Sequence, residues 1–116
     1  MFPELVFFAF VLPFGLAAWS GKETPYSPNG DWFECGHAVN NNDYSVFVAP
    51  VHFVAANCGK PVKVVGGGKT LYPKLGGVYR CAGTCGQDDI QVTPDVWAAQ
   101  SSGSPGAPFV LVTWEY

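Results

Sequence analysis

Four cysteines stand in this chain as Cys35-Gly36, Cys58-Gly59 and Cys81-Ala82-Gly83-Thr84-Cys85, and no other feature limits its fold as tightly. An even cysteine count in a chain of 116 residues, behind an apolar leader, reads as the disulfide framework of a secreted domain. Three pairings are open. The preferred one joins Cys35 to Cys58 and Cys81 to Cys85, because the short gap between the second two keeps them close in any turn. In the chain-entropy view, closing the longer loop contributes about 3.4 kcal/mol and the shorter about 2 kcal/mol. The rival chemistry is a four-cysteine zinc site. A secreted setting and the lack of a second closely spaced pair argue against it, so neither metal nor cofactor is expected.

From Leu5 to Ala18 the chain reads LVFFAFVLPFGLAA without a charge. That falls short of the roughly 20 apolar residues of a membrane span. Gly15, Ala17, Ala18 and Ser20 suit signal peptidase, although the residues ahead of the run carry Glu4 and no Lys or Arg. Residues 1–18 therefore read as a signal peptide, cleaved at about 17–20, and residues 19–116 as one extracellular domain. Removing Glu4 with the leader changes the formal charge from −3 to −2. Such mild acidity argues against nucleic acid and anionic membranes as partners. Few charges, 14 Gly and 10 Pro point to an all-β domain with tight turns, and a monomer is expected.

The apolar runs are short and split by turn residues. Strands are predicted at Tyr44–Val48, Val62–Val65, Lys69–Tyr72, Gly77–Arg80 and Val110–Tyr116, with weaker ones near Trp32–Cys35 and Ile90–Val92. Gly66-Gly67-Gly68 signals a hairpin. Thr93-Pro94-Asp95 reads as an N-cap, a proline in the first turn and a favourable acid, opening a helix over Pro94–Gln100 that presses Val96 or Trp97 on the sheet. Pro50–Ala55 offers a further helical turn, and residues 100–108 a surface loop. Nothing at metal-ligand spacing accompanies His37 or His52, so both are read as surface or turn residues.

The ordered set Thr24-x-Tyr26, Cys35-Gly36, Asn42-Asp43-Tyr44, Cys58-Gly59-Lys60, Arg80-Cys81…Cys85, Asp89-Ile90-x-Val92-Thr93-Pro94 and Val112-Thr113-Trp114 resembles the RlpA-like double-psi β-barrel proteins of fungi. These are related to barwin, expansin domain 1, the EG45-like domains and the loosenins. The resemblance covers residues 21–116. It implies a six-stranded double-psi barrel with one or two short helices, two disulfides and an open groove on one face. It also implies extracellular work on cell-wall polysaccharide (cellulose, chitin or another glucan) by binding or non-hydrolytic loosening.

Two departures shape the functional expectation. Wall-loosening members of that family carry an Asp just before Arg-Cys, where this chain has Tyr79, and another in a Leu-Asp-Leu-Ser/Thr-Pro pattern, where it has Gln91. An amide cannot exchange a proton near neutral pH, and glycoside hydrolysis normally needs two carboxyl groups. No catalytic residue is therefore assigned, and hydrolysis is not expected. Asp89 shares strand parity with Gln91 and is the candidate for a groove carboxylate, against the favoured reading of a solvated turn acid beside Asp88. Tyr26, Trp32, Tyr44 and Tyr79 are placed around the groove as rings that could stack on sugars, with Thr24 and Asp43 as polar partners. The alternative is an extracellular protein-interaction module, such as a cysteine-protease inhibitor or a host-colonisation effector. Trp97 and Trp114 are assigned to structure.

Overall fold

The computed structural model describes residues 18–116, so the signal-peptide reading lies, apart from Ala18, outside the described residues. The strands are β1 (Trp19–Pro25), β2 (Ser45–Val48), β3 (Lys63–Gly66), β4 (Lys69–Leu71), β5 (Lys74–Val78), β6 (Ile90–Val92) and β7 (Val110–Glu115). Among the described residues, one α-helix, α1 (Pro94–Gln100), and two single 3-10 turns at Pro50–His52 and Ala55–Asn57 complete the set. The strands form one sheet in the order β4-β3-β7-β1-β6-β2-β5. Its far edge curls back on the residues that enter β3. Pro61 bridges Lys74, the Val62 N–H donates to Pro73 O at 2.7 Å, and the Leu75 N–H donates to Lys60 O at 3.0 Å. The sheet is therefore a closed barrel of seven strands, one more than expected; the extra one is β4, a short hairpin partner of β3.

Two parallel pairs, β1 with β6 and β2 with β5, alternate with antiparallel ones. Strand β1 has no strand signal of its own, since WSGKETP contains a Gly, a Pro and two charges. It extends because β6 and β7 supply ladders on both sides. Gly21 is required there: a Cβ at that position would lie 2.2 Å from the Asp88 main-chain oxygen. The predicted strand near Trp32–Cys35 is absent. Trp32 makes only an isolated bridge to Ala38, and the chain turns at once through Gly36 (φ +91°), whose N–H donates to Phe33 O. The Gly67-Gly68 hairpin forms as expected, both residues having positive φ.

The main core lies inside the barrel, where Val46, Val64, Leu75, Val92 and Trp114 meet Val96 from α1. A second, smaller core lies outside it. Phe47 points away from Val46 and Val48 because successive strand residues face opposite sides. There the segment between β1 and β2 brings Phe33 and Val39 over it. Phe33 and Phe47 stack at 4.4 Å between ring centroids.

Thr93 holds the N-cap backbone position but not the cap bond. Its hydroxyl donates to Asp43 O and accepts the Ser45 N–H at 3.1 Å, tying α1 to the start of β2 instead. The predicted surface loop begins one residue late. Gln100 is buried in the last turn of α1, and its amide donates to Gly66 O at 2.8 Å.

Candidate functional site

All four cysteines are paired, Cys35 with Cys58 and Cys81 with Cys85, so no thiolate remains for zinc. Among the described residues no group of three His, Cys, Asp or Glu side chains could hold a metal ion.

Five of the eight expected groove residues gather on one face of the barrel. Thr24 on β1 and Gln91 on β6 are register partners, and Gln91 is opposite Phe47 on β2. Tyr26 and Tyr79 flank the outer core of Phe33 and Phe47. Tyr26 meets both rings edge-on at 6.3 Å, and the Tyr79 hydroxyl donates to Gly86 O at 3.2 Å. Both tyrosines are half-buried, so neither presents the open stacking ring expected of it. Trp32 is the open ring of this face, with two-thirds of its surface exposed (67%).

Arg80 organises the same face and was not singled out from the sequence. Its guanidinium lies 4.0 Å from the Phe33 ring centroid, as a cation on the face of an aromatic. It donates to Glu34 Oε2 at 3.0 Å, to Val78 O at 3.1 Å and to Trp32 O at 2.9 Å. Its own main-chain N–H donates to Gln91 Oε1 at 2.7 Å. One residue thus fixes the loop that carries Trp32 and the side chain of Gln91. Glu34 is the carboxylate of this face, paired with Arg80, and no local motif announces it. Partial burial pushes its carboxyl up, but the Val78 N–H and the Arg80 guanidinium outweigh that and hold it below the usual range. A carboxylate held ionised by a cation is a poor general acid.

The other three expected residues lie elsewhere. Asp89 does not face the groove as a free acid: its oxygens accept the N–H groups of Lys22 (2.8 Å) and Gly86 (2.7 Å), clamping the turn before β6 onto β1. It precedes β6, whose first residue is Ile90, so strand parity does not carry back to it. It borders a cleft of about 590 Å³ with Lys22, Leu111 and Thr113. Asp43 and Tyr44 line a separate cleft of about 410 Å³ with His37 and Lys74. Asp43 Oδ2 accepts the Asn40 N–H at 2.8 Å, as a turn acid does. The Tyr44 hydroxyl is pushed up by burial first, then by the negative charges of Glu23 and Asp95.

His52 is a turn residue, as expected, closing the 3-10 turn Pro50–His52, but its ring is packed at 4.3 Å from Trp19 and 5.3 Å from Trp114, and its Nε2 lies 2.6 Å from Asp88 Oδ1. Trp114 donates its indole N–H to Asp88 O at 2.9 Å, and the Tyr116 hydroxyl donates to His52 O. This cluster pins the 3-10 turns that follow β2 to the two chain segments around β6 and β7. Nothing in the local sequence of Val51-His52-Phe53 announces it, since every partner is remote in the chain.

No protein-family model matches this sequence, and no curated protein matches it. Solved structures do. A Streptomyces papain inhibitor superposes with a TM-score of 0.65 at 18% identity, over 84% of this chain and 92% of that one. The apo expansin of Clavibacter michiganensis gives 0.65 at 22% identity, over 84% of this chain and 48% of that one. A variant of that expansin in complex with cellohexaose gives 0.65 at 20%, with the same shares. This chain thus spans about half the length of the expansins. The neighbours are double-psi β-barrels, and that is the fold of this chain, as the sequence resemblance implied.

Proposed function

We propose that this domain works outside the cell and grips a wall polysaccharide along the Thr24–Gln91 face without cleaving it. The observation that carries this reading is Gln91. Where cleavage needs a proton-handling acid, this face holds a neutral amide whose oxygen already accepts the Arg80 N–H at 2.7 Å. Beside it the Trp32 ring is exposed on a loop that Arg80 anchors, a rigid apolar surface of the kind that stacks on a sugar face. Two disulfides suit an oxidising, extracellular compartment. The test is retention of the leader-free domain on insoluble cellulose and chitin. Binding is expected to weaken at least tenfold in Trp32→Ala, with no reducing sugar released. Equal retention of Trp32→Ala and the unmodified domain would sink this reading.

A second reading, a protein-binding module, is favoured by a different surface. The turns Pro50–His52 and Ala55–Asn57 expose Val51 (65%) and Val54 (46%), with no charged residue between Asp43 and Lys60 apart from His52 when protonated. The Cys35–Cys58 bridge and the Tyr116 bond to His52 O hold this apolar loop rigid. A rigid apolar loop lowers the ordering cost of docking into a protein cleft. The fold-sharing Streptomyces inhibitor makes papain the protease to try first. Titratable inhibition lost in Val51→Asp, with no retention on any wall polymer, would replace the first reading by this one.

A further inference from the structure

Strand β1 buries a carboxyl group with nothing to hold it. Glu23 faces the barrel interior, where it has no exposed surface (0%). Neither Oε1 nor Oε2 has a hydrogen-bond partner among the described residues. Its register partners are apolar, Ile90 on β6 and Val110 on β7. The titratable group its charge acts on is itself acidic, Tyr44, just ahead of β2. The two ion pairs of the described residues, His52–Asp88 and Arg80–Glu34, involve other acids. A protonated carboxyl tolerates such a place, whereas an unpaired carboxylate is strongly disfavoured in an apolar interior.

We propose that Glu23 is a pH-sensitive latch: neutral, it lets β1 seat between β6 and β7; ionised, it loosens β1 and draws Thr24 away from Gln91. The carboxyl sits in the strand that joins both ladders, so its charge acts first on those ladders. The Thr24–Gln91 face exists only while β1 is seated, and whatever it binds is then held at acid pH and released as pH rises. Burial pushes the Glu23 carboxyl from 4.5 to about 8. Below 4.5 the folded and unfolded chains both carry the proton, and the full stability is present. Between 4.5 and 8 only the unfolded chain gives it up, so stability falls as pH rises; above 8 the loss is complete.

The test is urea unfolding of the unmodified domain, Glu23→Gln and Glu23→Met from pH 4.5 to 8.5, with native-state hydrogen exchange corrected for the intrinsic rate. The unfolding equilibrium constant of the unmodified domain is expected to rise by up to about tenfold per pH unit, roughly a thousandfold between the two ends of that range. Either variant should flatten that rise, and Glu23→Met keeps the test open if Glu23→Gln does not fold. The histidines are common to all three proteins, so the difference isolates Glu23. Amides of β1 should open more with rising pH than those of β3, in the unmodified domain alone. A flat profile in the unmodified domain, the same slope in both variants, or equal opening of β1 and β3 would overturn the latch.

Discussion

Glu23 and Glu34 are the same side chain set in two regions of one small barrel, and their environments are opposite. Glu34, on the outer face, accepts the Val78 N–H and two bonds from Arg80, and its carboxyl is held below the usual range. Glu23, inside the barrel, has no hydrogen-bond partner among the described residues, and its carboxyl is pushed up to about 8. The outer face keeps polar atoms satisfied around a small aromatic core, so it stays polar and ordered at once. The interior leaves one acid unsatisfied, so its stability depends on a proton. The two acids therefore give opposite pH limbs. Glu34 contributes stability above its unfolded value of 4.5 that is lost as pH falls through its lowered folded value. Glu23 contributes stability below 4.5 that is lost as pH rises towards 8.

The contrast can be broken from either side. The largest effect is expected from Phe47→Ala, which removes the fully buried ring on which the outer face rests. A loss of about 3–5 kcal/mol in urea unfolding is expected, and a loss below about 1 kcal/mol would mean that Arg80 and not packing holds that face. Next comes Glu23→Gln, which should gain about 3 kcal/mol at pH 7 and nothing at pH 4. Arg80→Ala should cost about 2 kcal/mol, because Glu34 and the carbonyls of Trp32 and Val78 lose their donor. It should also weaken retention on the wall polymer, since the Trp32 loop is released. Thr93→Val keeps the shape but removes both bonds between α1 and β2, and a fall in stability of about 1 kcal/mol is expected by thermal melting. Trp32→Ala should be the mildest for folding, within about 0.5 kcal/mol, because the ring is mostly solvated. Its effect is confined to binding.

Much of the barrel was legible because strand and turn signals are local. The apolar alternation of Val110, Val112 and Trp114, the glycine hairpin at 67–68 and the proline-led helix at 94–100 each carry their own instruction. The close spacing of Cys81 and Cys85 favoured one of three open pairings, and that is the one the structure has. Strand β1 was not legible, because its extended form comes from the two ladders beside it and not from WSGKETP. The candidate face was legible only in part. Thr24 and Gln91 were expected together and are register partners, yet Asp89 was assigned by parity from a strand that starts one residue later. Asp43 and Tyr44 were drawn in by the family pattern but lie in a separate cleft.

Residue identity alone put a phenol and an amide, Tyr79 and Gln91, at the two positions where wall-loosening members of the resembled family carry acids. Identity alone also made two disulfides and an all-β fold the expected outcome, since cysteine spacing and alternation are properties of the chain itself. Only the closed barrel decided that Glu23 lacks a partner while Glu34 has several, and that His52 meets Asp88. The reason is distance along the chain. Glu34 is 46 residues from Arg80 and His52 is 36 from Asp88, so a carboxyl's neighbours, and hence its charge, are set by how remote strands are brought together.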